Sequence, residues 1–137
     1  AGGTARSLVM GCARAGMEVW LWNRSAERRN RLIGEMGAQI SGVLDVPEAK
    51  GFDLVVNATS ASLSGLDLGV DWSGSEGGLA FELTYGRELS PFLASAKVNG
   101  MSIVDGLPML VEQGALAFEW WLGKEAPRKA MLRSVGL

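Results

Sequence analysis

The sequence has 137 residues, with 13 Lys and Arg, 15 Asp and Glu and no His, which gives a formal net charge of −2 at pH 7. Hydrophobic residues make up 47% of the chain, enough for the core of one ordinary domain. This charge balance excludes the basic footprint of a nucleic-acid-binding protein, and no apolar run reaches the ~18 residues of a membrane helix. The single Cys12 and the lack of a signal-peptide pattern predict a reducing, cytoplasmic setting and no metal site.

The amino-terminal stretch is rich in glycine and small residues. Gly2 and Gly3 precede a helical pattern over residues 7–15 that ends at Gly16, and a β-favouring run follows at 18–22. Glycines at a helix start let backbone N–H groups approach a phosphate, which the positive end of the helix dipole also favours. This order predicts the first half of a dinucleotide-binding fold.

The tip of that predicted strand carries Asn23 and Arg24 and no carboxylate. A site for NAD usually has an acid there, which binds the ribose 2′-hydroxyl, whereas an arginine suits the 2′-phosphate of NADP. Arg28 and Arg29 fall in the first turn of the next helix, where the dipole disfavours a cation by roughly 0.3–1 kcal/mol. An anion between Arg24 and Arg28 would resolve this conflict, and we interpret Arg29 as a solvated residue.

The next segments alternate between helix and strand. We predict a helix over residues 25–37, with Asn23 or Ser25 as N-cap and Gly37 as a left-handed stop, and its buried positions are Leu32, Ile33 and Met36. A short strand at 38–41 and a helical turn at 45–49 are expected to follow. Residues 52–57 form the clearest parallel-type strand.

A polar turn follows that strand at residues 57–61, where α/β sheets bind ligands; an ordinary Asx or Ser/Thr turn is the alternative. A loop over 63–78, anchored by Trp72, leads to a strand at 79–83. Helices are predicted over 90–100, 108–122 and 127–134, with a strand at 101–104, and Phe92, Leu93, Ala96 and Val98 supply apolar contacts.

This alternation predicts a Rossmann-like, doubly wound parallel α/β sheet with helices on both faces. The dinucleotide fingerprint begins at the end of a first strand, whereas this sequence starts inside that loop. We therefore expect a sheet whose first strand is absent from the sequence and whose two internal edges are unpaired. Three arrangements would pair the backbone groups of these two edges: a strand from another chain, a rearranged fold, or residues outside the sequence.

Taken together, several motifs resemble the carboxyl-terminal, NADP-binding domain of the shikimate dehydrogenases over nearly all of residues 1–137, the helices of 108–137 included. The resemblance rests on the glycine pair, the Asn-Arg-Ser element with Arg28, the Asn-Ala-Thr-Ser turn, Tyr85 followed by Pro-Phe-Leu, and the run from Asp105 to Gln113. In that family the reaction is reversible hydride transfer between NADPH and 3-dehydroshikimate, giving shikimate for aromatic amino-acid biosynthesis.

The resemblance implies a role for individual residues. The pyrophosphate would lie along Gly2, Gly3, Thr4 and Ala5, and the adenosine 2′-phosphate along Asn23, Arg24, Ser25 and Arg28. Thr59 and Ser60 would follow the cofactor, Leu83 and Gly106 would lie near the nicotinamide, and Tyr85 and Gln113 would contact the substrate.

Family members also carry an amino-terminal domain with a catalytic Lys and Asp, and no residue here matches them. We therefore expect this chain to bind NADP, to bind the small-molecule substrate only together with that domain, and to show no activity alone. The alternatives are a quinate or NAD-dependent relative and a nucleotide-binding module without chemistry. A methyltransferase-like domain would need an acid at the strand tip. Association into a homo-oligomer is left open.

Overall fold

A computed structural model describes residues 2–137, in which strands and helices alternate along the chain. The elements are α1 (Gly3–Arg14), β1 (Trp20–Leu21), α2 (Ala26–Met36), β2 (Gly42–Val43), β3 (Leu54–Asn57), β4 (Leu79–Glu82), α3 (Pro91–Val98), β5 (Ser102–Val104), α4 (Leu107–Leu122) and α5 (Arg128–Ser134). The predicted α/β class is confirmed.

The strands form two parallel sheets, one of β1 and β2 and one in the order β3-β4-β5. In the larger sheet Val55, Ala80 and Ile103 are aligned across the three strands and point to one face. Helix α3 packs on that face, because its buried side chains belong to the same apolar cluster as these strand residues.

The hydrophobic core is correspondingly divided into two clusters. The cluster beneath the larger sheet consists of Ala49, Trp72, Ala80, Phe92, Leu93, Ala96 and Met101. The cluster between α1 and α2 consists of Val9, Leu32 and Met36. Between the two sheets lies a cleft whose walls include Leu21 of β1 and Val56 of β3. The expectation of two internal strand edges agrees with this interruption of the sheet.

The predicted starts of α2 and α3 agree with the structure, whereas α1 begins at Gly3, four residues before the predicted helical stretch. The Oγ of Ser25 accepts a hydrogen bond from the Arg28 amide at 3.3 Å and caps α2. Ser90 caps α3 in the same way, through the Leu93 amide at 3.2 Å. These hydroxyl groups satisfy backbone donors that have no partner within the helix.

Three local predictions near α2 are wrong or only partly correct. Gly37 has φ −56° and ψ −34°, so it is right-handed, and a 3-10 turn at Gly37–Gln39 extends the helix. The strand expected at 38–41 is therefore displaced to β2. Ile33 is half-buried instead of buried.

Two further predictions are wrong. Residues 45–49 form no helical turn, because the Ala49 amide donates to the carbonyl of Asp71 at 2.8 Å and a parallel bridge joins Glu48 to Asp71. Val98 is 87% exposed, since it ends α3 on the side opposite Phe92 and Ala96. Both outcomes depend on contacts distant in sequence.

Candidate functional site

A cavity of about 610 Å³ opens at the carboxyl ends of β1 and β3. It brings together six residues that the sequence predicted for one site: Gly2, Ala5, Asn23, Arg28, Thr59 and Ser60. The predicted residues Gly3, Thr4, Arg24 and Ser25 are their immediate neighbours in the chain. This is the position at which open α/β sheets bind ligands.

The amino terminus of α1 forms one wall of the cavity. Gly2 is the N-cap, with φ −83° and ψ −177°, and no side chain caps this helix. Beyond the adjacent residues and the backbone of α1 itself, a Cβ placed on Gly2 or Gly3 would meet no described atom within 4 Å. The first amides of α1 therefore have neither an intrahelical partner nor a side-chain cap, and they lie in open space.

The tip of β1 forms a second wall. The Ser25 amide donates to Oδ1 of Asn23 at 2.9 Å, which fixes the path of the chain into α2. Arg24 and Arg28 are both exposed. Within residues 2–137 neither guanidinium has a carboxylate partner, so two uncompensated positive charges lie at this end of the cavity.

Sequence reasoning missed Arg31 and Trp22, which also line the cavity. Nε of Arg31 donates to Glu35 at 3.0 Å, and Glu35 also accepts a hydrogen bond from Arg6 of α1. The hydrogen bond from Arg6, followed by that from Arg31, lowers the pKa of Glu35 to about 2. The signal for Arg31 was its position three residues after Arg28, on the same helix face.

The interpretation of Arg29 as a solvated residue is wrong. It is half-buried, and its Nε has no hydrogen-bond partner among the described residues. Arg29 shares the inner face of α2 with Leu32 and Met36, which are buried against α1. The helical period therefore draws its aliphatic stem inward.

The polar turn after β3 forms the opposite wall. Asn57 is 2% exposed, and its Oδ1 accepts hydrogen bonds from the amide of Thr59 at 2.9 Å and from the Thr59 Oγ1 at 2.7 Å. The turn therefore has Asx geometry and also presents Thr59 and Ser60 to the cavity. The Asx-turn interpretation is confirmed, and ligand binding by this turn stays a prediction.

Leu83, Tyr85 and Gly106 form a second group, where β4 ends and α4 begins. A Cβ on Gly106 would lie 2.1 Å from the Leu83 carbonyl oxygen and 3.2 Å from Cδ1 of Tyr85. The Gly106 amide donates to the carbonyl of Thr84 at 3.1 Å. Tyr85 is 50% exposed, so its ring is open to a ligand from solvent.

Gln113 is exposed on α4, two helical turns or about 10 Å along the axis from Gly106. The structure thus brings three of the four residues predicted near the nicotinamide and substrate into direct proximity, with Gln113 further along the same helix. The four lysines, Lys50, Lys97, Lys124 and Lys129, are all exposed, as expected for solvated side chains.

None of the helices within residues 2–137 is both long and apolar enough to cross a bilayer. The same residues contain no group of three acidic or sulfur side chains placed to hold a metal ion.

Parallel strands joined by helices, with a cavity at their carboxyl ends, define a Rossmann-like α/β domain. The family described as "Shikimate 5′-dehydrogenase C-terminal domain" matches residues 106–135. A shikimate dehydrogenase (NADP(+)) of Thermus thermophilus is 37% identical over 96% of this chain and 52% of its own length. By these matches the chain is similar to the carboxyl-terminal part of shikimate dehydrogenases. The chain spans about half the length of the curated relatives it matches.

Solved structures show a similarity of the same extent. Shikimate 5-dehydrogenase from Thermus thermophilus, in complex with NADP(H) and shikimate, is 35% identical with a TM-score of 0.80, covering 97% of this chain and 51% of that protein. The 5-ketofructose reductase of Gluconobacter sp. strain CHM43 is 26% identical with a TM-score of 0.78, covering 98% and 52%. The same fold therefore occurs in proteins named for different substrates.

Proposed function

We propose that this chain is the NADP-binding part of an NADP-dependent shikimate dehydrogenase, which catalyses reversible hydride transfer between NADPH and 3-dehydroshikimate. The observation that carries the proposal is the pair Arg24 and Arg28, which lie beside the cavity without carboxylate partners among the described residues. A 2′-phosphate would neutralise them, whereas a 2′-hydroxyl would not. The names of the relatives point to the same cofactor.

The cavity walls fit this cofactor. The pyrophosphate would lie against the amides of residues 2–5, where the open space around Gly2 and Gly3 permits close approach of an anion. The 2′-phosphate would lie between Asn23, Arg24, Ser25 and Arg28. Thr59 and Ser60 would follow the cofactor toward Leu83 and Gly106. Residues 1–137 would then form a single cofactor-binding domain that includes α4 and α5.

When bound, NADPH supplies the hydride. The contribution of this chain is to hold and orient the nicotinamide against the backbone of Leu83 and Gly106, and to contact the substrate through Tyr85 and Gln113. Reduction of a ketone also needs a proton donor near its oxygen. The exposed lysines of this chain lie away from the cavity. The chain matches about half of the relatives' length, so we expect the proton donor in the other half of the enzyme. We therefore expect no turnover from this chain alone.

The cofactor assignment is tested by calorimetric titration of NADP⁺ and NAD⁺ into the natural protein that carries this sequence. Arg24→Ala should weaken NADP⁺ binding by about 1.5–3 kcal/mol, the contribution of a charged hydrogen bond, and leave NAD⁺ binding unchanged. Arg133→Ala, which removes the same charge from α5, is the matched control. Equal affinity of the unmodified protein for both nucleotides would refute the proposal.

The substrate assignment is tested with shikimate and quinate as alternative substrates for NADP⁺ reduction. We expect activity with shikimate, and a raised KM for it in Tyr85→Phe and Gln113→Ala at unchanged NADP⁺ affinity. Activity confined to quinate would support the quinate relative. NADP⁺ binding without turnover of either compound would support a nucleotide-binding module without chemistry.

We also propose a cytoplasmic location. A single half-buried cysteine and a supply of NADPH both suit a reducing compartment.

A further inference from the structure

Glu82 is the most deeply buried acidic residue among those described, at 1% exposure, and no lysine or arginine pairs with it. It ends β4, next to the candidate site and outside the cavity lining. A buried carboxyl group is costly unless its oxygens accept hydrogen bonds. The hydrogen-bond donors around the Glu82 carboxyl group therefore show how it is stabilised in the core.

Four neutral donors surround the carboxyl group. Its Oε2 accepts hydrogen bonds from Nδ2 of Asn57 at 2.8 Å, from Oγ of Ser62 at 2.6 Å and from Oγ of Ser90 at 3.2 Å. The Thr84 amide donates to Oε1 at 3.3 Å. One side chain thus joins the end of β3, the turn beyond it, the N-cap of α3 and the segment that leads to Tyr85.

The hydrogen bond between Glu82 and Asn57 orients the side-chain amide of Asn57. Because Nδ2 of Asn57 donates to Glu82 and Ser62, its Oδ1 is turned toward Thr59 and accepts both the amide and the hydroxyl of that residue. The Thr59 Oγ1 in turn accepts the Ala61 amide at 3.2 Å. Reversing the Asn57 amide would break its bonds with the Glu82 carboxylate and the Thr59 amide, because only the hydroxyl groups of Ser62 and Thr59 can exchange donor and acceptor roles. Glu82 therefore favours one conformation of the turn.

We propose that Glu82 is a positioning residue for the cofactor, which acts through Asn57 to hold Thr59 and Ser60 in the geometry that receives the nucleotide. This inference rests on the proposed function, since it assigns a role within the same NADP site. Glu82 does not touch the cavity itself. Its effect is the preorganisation of a wall that does.

The test is NADP⁺ titration of the natural protein and of Glu82→Gln. Glutamine keeps the shape but replaces one acceptor oxygen with an NH2 group, so either Nδ2 of Asn57 or the Thr84 amide loses its acceptor. We expect at least about a tenfold loss of NADP⁺ affinity, because small misplacements of binding groups are costly. The matched control is Ser75→Ala, which removes a buried 2.6 Å hydrogen bond to the Trp72 carbonyl in the same core and should leave affinity within about twofold.

A double-mutant cycle with Thr59→Val distinguishes positioning of the turn by Glu82 from a purely structural role of Glu82. If Glu82 acts through the turn, the two losses of affinity are less than additive, whereas independent effects add. Should Glu82→Gln fail to fold by circular dichroism, Ser62→Ala and Ser90→Ala replace it, because each removes a single donor from Oε2.

The two possible failures are separable. An unmodified protein without NADP⁺ affinity overturns the proposed function together with this inference. If the unmodified protein binds NADP⁺, three outcomes overturn this inference alone. They are additive losses in the double-mutant cycle, unchanged affinity in folded Glu82→Gln, and unchanged affinity in both serine variants.

Discussion

The carbonyl oxygen of Leu83 lies against Gly106 so closely that a Cβ at Gly106 would be 2.1 Å from it. Gly106 has φ −77°, so its backbone conformation suits any residue and the requirement for glycine is steric. The contact joins the end of β4 to the start of α4, and Gly106 is buried. Both residues belong to the set proposed to face the nicotinamide.

Gly106→Ala should therefore separate these two segments. We expect a loss of about 1–3 kcal/mol in the free energy of unfolding, the usual cost of overpacking, measured by urea denaturation. Gly86→Ala is the control in the same region, because its nearest non-local atom, the Glu88 carbonyl oxygen, is 3.9 Å away. Equal stability of the two variants would contradict the steric argument.

Gly3→Ala should lower the affinity for NADP⁺ without lowering the stability of the fold. Its Cβ would enter open space in the first turn of α1, and alanine favours helix over glycine by up to about 1 kcal/mol, so stability is expected to be unchanged or raised. NADP⁺ affinity should fall, because the methyl group obstructs the proposed approach of the pyrophosphate. Thermal melts and NADP⁺ titrations on the same samples measure both.

Gly11→Ala is the matched control for that experiment. Gly11 lies later in α1, is exposed and has open space around it. The substitution should stabilise the helix and leave NADP⁺ affinity unchanged. An equal affinity for NADP⁺ in both variants would mean that the start of α1 does not receive the phosphates.

The contact between α4 and α5 should depend on acid pH. The hydrogen bonds from Arg128 and, after it, from the Ala126 amide lower the pKa of Glu119 from 4.5 to about 2. A depressed pKa in the folded state means that the unfolded state binds more protons between these values. Stability from this pair is present above pH about 4.5 and is lost as the pH falls toward 2.

Urea midpoints measured from pH 7 down to pH 2 test this dependence. Arg128→Met should lower stability at pH 7 and reduce the slope below pH 4.5, because Glu119 then loses its main partner. Glu35 contributes a slope of the same sign through Arg6 and Arg31, so part of the dependence should persist in this variant. An identical slope with and without Arg128 would contradict the assignment.

Gly42 of β2 supports the indole of Trp20 on the neighbouring strand. A Cβ on Gly42 would be 2.5 Å from that ring, which also meets Phe52 edge-on with ring centroids 6.3 Å apart. Gly42→Ala should displace the indole and change the tryptophan emission, with a stability loss of about 1–3 kcal/mol. Adding Trp20→Leu should restore much of that stability; no recovery would show that the backbone of Gly42, and not the ring, is decisive.

The sequence predicted the features that depend on neighbours in the chain. Ser25 and Ser90 cap their helices as expected, because a cap needs only an amide two or three residues later. The strand at Leu54–Asn57 was evident from its apolar run. Six of the predicted site residues converge on one cavity because the Rossmann order places successive loops at one edge.

The remainder depends on distant contacts that local patterns do not contain. The bridge between Glu48 and Asp71 replaces a predicted helical turn. The environment of Glu82 leaves no local signal in the sequence, since its donors come from Asn57, Ser62 and Ser90, up to 25 residues away. Only assembly of the sheet shows which polar side chains meet.

The division of the core into two clusters has a consequence for how the domain unfolds. Val9, Leu32 and Met36 share no cluster with Phe92 and Ala96, so we expect each sheet with its helices to open on its own. We expect amide hydrogens of the two parts to exchange with different protection, as separate cooperative units. A nucleotide that contacts α1 and β1 on one side and the turn after β3 on the other would fasten the two units together. Nucleotide binding would then merge the two exchange regimes into one. Conversely, the folding of one unit would raise the affinity of the other unit for the nucleotide.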